Sequence, residues 1–128
     1  MGKITGLGGV FLELSGDTKK LMDWYRDVLG VDTTEYGINF LEPNKFTIIS
    51  FNDCDGAEKT VLNFTVDDLG EFMESLKKKN VKVLQDIETY DYGKFARIED
   101  VLGGIIELWE PFDEEYIKMV EKEIKEYK

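Results

Sequence analysis

Any chemistry in this chain must be done without histidine, because the sequence contains none. That removes the commonest metal ligand and the usual general base near neutral pH. Ser-His-Asp and Cys-His mechanisms go with it. The single cysteine, Cys54, sits in the polar run Asn52-Asp53-Cys54-Asp55-Gly56, where carboxylates disfavour a thiolate. It is read as an incidental thiol, and one cysteine cannot close an intrachain disulfide. The notable acid is Glu107, a carboxylate inside the apolar run Ile105-Ile106-Glu107-Leu108-Trp109. Two roles suit it. It acts as a general base or hydrogen-bond acceptor for a ligand, or it pairs with Arg97 or a lysine and does no chemistry. Trp109 has a similar fork. It stacks a planar or cationic ligand, or it fills the interior together with Phe11.

Two further patterns look chemical and are not read so. Gly6-Leu7-Gly8-Gly9 has phosphate-loop spacing, but it precedes a strand instead of opening a helix. Its glycines are read as letting the strand bend. Lys77-Lys78-Lys79 would suit a phosphate, but they fall in the last turn of an expected helix, where they simply complement its dipole.

The elements that must position these groups follow from periodicity. A first strand is expected over Ile4 to Leu14. Asp17 then caps a helix carrying Leu21, Met22, Trp24, Tyr25, Val28 and Leu29, stopped by Gly30. Short strands are expected at about Asp32 to Tyr36, Ile38 to Glu42 and Lys45 to Phe51, with Pro43-Asn44 turning the last pair. Thr60 to Val66 reads as a strand. Asp67-Asp68 caps a second helix with the stripe Leu69, Phe72, Met73 and Leu76, and Glu71 is placed as a capping-box partner. Asn80 ends it, and Val81 to Gln85 begins another strand. Phe95 to Ile98 and Ile105 to Pro111 flank Gly103-Gly104, a β-hairpin pattern. From Asp113 onward the chain reads as a charged helix capped by Asp113, with the stripe Ile117, Val120, Ile124 and Tyr127. Glu114/Lys118 and Glu121/Lys125 are spaced for i,i+4 pairs.

The chain thus repeats one β-α-β-β-β pattern. Val10 to Leu14 aligns with Leu62 to Val66, Asp17 with Asp68, and Gly30-Val31 with Asn80-Val81. A module so short cannot cover both faces of its sheet alone, so two are expected to pack together. The length of 128 residues and an apolar fraction of 42% suit a single globular domain. The net charge of −11 repels phosphate backbones, so nucleic acid is not an expected partner. No apolar run reaches membrane-spanning length and no signal peptide opens the chain, so a cytoplasmic location is expected. The last helix is as acidic as it is basic on its polar face, which argues against a membrane surface.

Two stretches carry a family resemblance. Trp24-Tyr25-Arg26-Asp27-Val28-Leu29-Gly30 resembles the first-helix signature of the vicinal oxygen chelate superfamily, the glyoxalase/bleomycin-resistance/dioxygenase fold. Asp100, Gly103, Glu107, Leu108, Trp109 and Pro111 match its final hairpin, with Val101 and Gly104 in place of the usual Pro and Asn. The resemblance implies an α+β fold of two tandem βαβββ modules forming a curved mixed-sheet cup. It would comprise a single domain over residues 1–111, with modules at about 4–52 and 59–111 and a helical extension over 112–128. It also implies metal-ligand slots on the first and last strand of each module. Here those slots fall at Gly9, Ile48, Val61 and Glu107. Three offer no side-chain donor, and one carboxylate does not hold a catalytic divalent ion. Glu13 could join Glu107 to hold Mg²⁺ or Mn²⁺ through oxygen alone; otherwise no cofactor is expected. By alternation from the slots, Phe11, Glu13, Ile48, Ser50, Val61, Asn63, Glu107 and Trp109 are expected on the concave face. Tyr90, Tyr92 and Arg97 are expected at its rim.

Three functions fit. The first is metal-free binding or sequestration of a small molecule in an apolar, partly polar pocket. The second is a metal-dependent lyase, isomerase or dioxygenase with an atypical oxygen-only site at Glu107. The third is a dimeric interaction or regulatory module without catalysis. A homodimer is expected, since most members of the fold resemble dimers.

Overall fold

The computed structural model describes residues 2, 9–10, 12–41, 46–51 and 60–127. The chain divides into two units, Met1–Lys59 and Thr60–Lys128.

The second unit is a complete βαβββ module followed by a helix. β3 (Leu62–Thr65), α2 (Leu69–Lys78), β4 (Val83–Tyr90), β5 (Gly93–Glu99) and β6 (Ile105–Pro111) come in that order, then α3 (Asp113–Tyr127). The sheet order is β3-β6-β5-β4. β3 runs parallel to β6, and the other two pairings are antiparallel.

Local chemistry sets each boundary. The Asp68 carboxylate accepts the Glu71 N–H at 3.0 Å, and the β6 residue Glu110 accepts the Leu69 N–H at 2.7 Å. Two donors left over at the start of α2 are thus satisfied, one from within the helix turn and one from the sheet. At the other end Asn80 takes a φ of 60°. The N–H groups of Val81 and Asn80 then donate back to the carbonyls of Leu76 and Lys77, both at 3.1 Å. That double closure is how a left-handed residue ends a helix. In the last hairpin, the Asp100 carboxylate accepts from Leu102 N (2.7 Å) and Gly104 N (2.9 Å), which folds the turn expected from Gly103-Gly104.

The core lies on one face of this sheet. Leu69, Met73 and Leu76 from α2 are buried with Ala96 and Ile98 of β5 and Ile106 and Leu108 of β6. Ala96 lies opposite Leu108 and Ile98 opposite Ile106, so the four make one patch beneath the helix. Each large side chain buried this way contributes about 1.5–3 kcal/mol of transfer free energy.

α3 departs from its expected stripe. Tyr116 is its buried residue, while Ile117, Ile124 and Tyr127 are exposed. Both faces carry apolar residues; Tyr116 is the one that meets an aromatic partner, Trp109. Asp113 is the first helical residue instead of the cap, and the Phe112 carbonyl accepts the Tyr116 N–H at 2.9 Å. The ion pair along α3 among the described residues is Lys122–Glu126 at 3.8 Å, not the two pairs read from spacing. On α2, Lys77 pairs with Asp86 across 3.2 Å.

In the first unit, Asp17 caps α1 (Thr18–Trp24), accepting the Lys20 N–H at 3.1 Å. The helix continues as a wider π-helical turn, Tyr25–Leu29, and Gly30 ends it at a φ of 72°. Tyr25 and Leu29 are its buried residues. β1 (Thr33–Thr34) and β2 (Gly37–Ile38) form a short antiparallel pair. The longer strands expected over Ile38 to Glu42 and Lys45 to Phe51 are not seen in their described residues, and residues 9–10 and 12–14 join no ladder either. Residues 4–8, 11, 42–45 and 52–59, which include Phe11, Pro43-Asn44 and Cys54, lie outside the described residues. Among the described residues no helix is long and apolar enough to cross a membrane.

Candidate functional site

The face of the second unit's sheet opposite the core carries a different kind of side chain. Register brings four polar residues into a row across all four strands. Asn63 lies opposite Glu107, Glu107 opposite Arg97, and Arg97 opposite Gln85. Asn63 Nδ2 donates to Glu107 Oε1 at 2.8 Å, and Arg97 Nε donates to Glu107 Oε2 at 3.1 Å. Both oxygens of Glu107 are therefore engaged, and the adjacent guanidinium balances its charge. The Arg97 side chain is 39% exposed and that of Glu107 is 22% exposed. An ion pair this accessible is worth about 1 kcal/mol or less.

The neighbouring row is aromatic. Trp109 lies opposite Phe95, and Phe95 opposite Glu88. The Phe95 and Trp109 rings stack, with centroids 5.6 Å apart and planes 8° from parallel. Tyr90 and Tyr92, at the two ends of the β4–β5 turn, stack at 5.6 Å and 12°. Phe95 meets both tyrosines edge-on at 5.8 Å. Such pairs add about 0.5–1.5 kcal/mol each beyond their buried area. Trp109 is only 4% exposed, because Tyr116 of α3 packs edge-on against it at 4.8 Å. It packs against Phe95 and Tyr116 and is not an open wall for a ligand.

Between the polar row and the tyrosines lies an open hollow of about 240 Å³, lined by Gln85, Glu88, Tyr90, Tyr92, Phe95, Arg97 and Glu107. Its second acid, Glu88, accepts the Tyr90 hydroxyl at 2.6 Å. That bond, and then the charge of Glu88, hold the Tyr90 phenol above its ordinary pKa.

Of the residues expected from sequence, Asn63, Arg97, Glu107 and Trp109 share this face, and Tyr90 and Tyr92 stand at its edge. Val61 is half-buried just before β3. Glu13, Ile48 and Ser50 are exposed residues of the first unit, none of them in a strand, and Phe11 lies outside the described residues. Sequence reasoning missed Gln85, Glu88 and Phe95. For Gln85 and Glu88 the reason is a pair of register shifts in β4, between Val83 and Gln85 and between Gln85 and Glu88. An extra residue there puts Gln85 and Glu88 on one face despite their odd spacing. The turn Tyr90-Asp91-Tyr92-Gly93 was the available signal.

The residues around Glu107 do not fit a resident divalent cation. Arg97 repels one, and the Asn63 amide presents its N–H to the carboxylate. Among the described residues no three His, Cys, Asp or Glu side chains converge as a cation cage.

No family model matches the chain, and no curated protein matches it. Solved structures do. TnmS3, an antibiotic binding protein from Streptomyces sp. CB03234, is 20% identical with a TM-score of 0.50, over 75% of this chain and 88% of that one. A glyoxalase/bleomycin resistance protein/dioxygenase superfamily member from Sphaerobacter thermophilus DSM 20745 is 17% identical with a TM-score of 0.53, over 81% and 99%. TioX from Micromonospora sp. ML1 is 14% identical with a TM-score of 0.50, over 73% and 87%. The chain has the vicinal oxygen chelate fold, an α+β fold that ends here in an additional helix. A fold alone does not fix a function, so function must be argued from the site.

Proposed function

We propose that this protein binds a small molecule through a flat aromatic group laid against Tyr90 and Tyr92, and that it does so without a metal and without catalysis. The single observation behind this is the hollow itself, where stacked tyrosines and a phenylalanine edge stand beside four polar side chains on one sheet face. Apolar and aromatic walls with a few placed polar groups are what small-molecule sites are made of. Its volume, about 240 Å³, lies just under the range of roughly 300–1,000 Å³ usual for whole ligands. It suits one or two fused rings, the planar part of a larger molecule. The engaged state of Glu107 speaks against general-base work, because both of its oxygens already hold donors. The likeness in fold to TnmS3, an antibiotic binding protein, is in keeping with sequestration.

The test is titration of the purified protein with quinoline, followed by ligand-detected NMR and calorimetry. Saturable binding that weakens on Tyr92→Ala is expected. Absence of saturation across a panel of bicyclic aromatics would refute the reading. A homodimer is part of the same proposal; light-scattering mass in solution checks it, and a monomer at all concentrations removes it.

A further inference from the structure

We propose that Glu88 makes this hollow selective for organic cations, an inference that rests on the planar-ligand reading above and adds a charge requirement to it. Three charged groups line the hollow: Glu88, Glu107 and Arg97. Glu107 and Arg97 neutralise one another across 3.1 Å. Glu88 has no cationic partner among the described residues, so the lining carries one uncompensated negative charge. Its Oε2 accepts the Tyr90 hydroxyl at 2.6 Å, which holds the carboxylate at the hydroxyl edge of that ring. Its Oε1 has no partner among the described residues. A cationic ring stacked on Tyr90 would therefore meet two favourable features together: the electron-rich face of a phenol and a fixed carboxylate at its edge. An anion would meet Glu88 head-on, while Arg97 is already committed to Glu107. The β4 register shifts put Glu88 on this face at all, so the charge selection is built by the same irregularity that shapes the hollow. The net charge of −11 would add long-range attraction for a cation of any shape, but it cannot discriminate by position.

The experiment compares two probes of the same size and planarity at neutral pH, quinoline and N-methylquinolinium, on the intact chain and on Glu88→Gln. The substitution is isosteric and at an exposed position, so folding is retained; a circular dichroism melt verifies this. The cation is expected to bind roughly fivefold tighter than quinoline, the scale of one exposed charge contact. Glu88→Gln should bring the ratio of the two affinities to about one, and added salt should weaken only the cation. If both probes saturate equally and Glu88→Gln alters neither, charge selection is overturned and planar binding survives. A cation preference that persists in Glu88→Gln overturns the assignment to Glu88. If neither probe saturates, the planar-ligand reading and this inference fall together.

Discussion

Gly93→Ala is the most demanding check on the aromatic packing around Trp109. A Cβ at Gly93 would lie 2.5 Å from Trp109 Nε1 and 2.7 Å from the Glu110 carbonyl oxygen. Neither neighbour can retreat. Trp109 is held between Phe95 and Tyr116, and the Glu110 carbonyl is backbone of β6. Gly93 also has a φ of +155°, which side chains rarely adopt. Strain of about 1–3 kcal/mol for the backbone and about 1–3 kcal/mol for overpacking gives about 4 kcal/mol near the centre of the range. With a urea slope of about 2 kcal/mol per molar, the unfolding midpoint should fall by about 2 M. The chain has two tryptophans, so the assay belongs in a Trp24→Phe background, where fluorescence reports Trp109 alone. A midpoint and slope unchanged by Gly93→Ala would mean that Trp109 does not close over Gly93, and the packing of the Phe95–Trp109 pair would need to be redrawn.

Tyr116→Ala should destabilise the second unit by about 3 kcal/mol and shift Trp109 emission to the red, because α3 would no longer cover the indole; urea unfolding and emission maxima check both. Asp68→Ala removes the cap of α2 and should cost about 1 kcal/mol, measured the same way. Alkali should destabilise the fold. Tyr90 is raised by its hydrogen bond to Glu88, and Tyr116 is raised by burial. A raised native pKa means the unfolded chain loses its phenolic proton first, so stability is complete below roughly pH 10 and is lost as pH climbs through the native values. Tyr116→Phe should flatten that decline in a pH series of thermal melts, whereas an unaltered decline would exclude Tyr116 as its source.

Much of the second unit was legible in its residues. Asp68 and Asn80 mark α2 because their side chains or backbone angles solve the helix-end problem locally. The last hairpin was legible because two apolar runs flank Gly103-Gly104, and strict alternation in β6 then placed Glu107 and Trp109 on one face. The pairing of Glu107 with Arg97 was one of two readings the sequence allowed, and only register across β5 and β6 selects it. Glu88 was hidden because alternation breaks within β4, and a register shift depends on the partner strand, not on local composition. In α3 two apolar stripes compete, and the choice of Tyr116 over Ile117 depends on Trp109 being the surface met.

The parallel pairing of β3 with β6 has a kinetic consequence. Asn63 and Glu107 are 44 positions apart, so this contact closes a long loop, whereas the β4–β5–β6 meander closes through short turns. Loop-closure entropy rises with that separation, so the meander forms early and β3 docks late. During synthesis β6 must emerge before β3 can make this pairing. Any premature stop upstream of Ile105 therefore deprives Leu62–Thr65 of the strand it pairs with in this sheet, and strands that lose their partner are templates on which nascent chains aggregate.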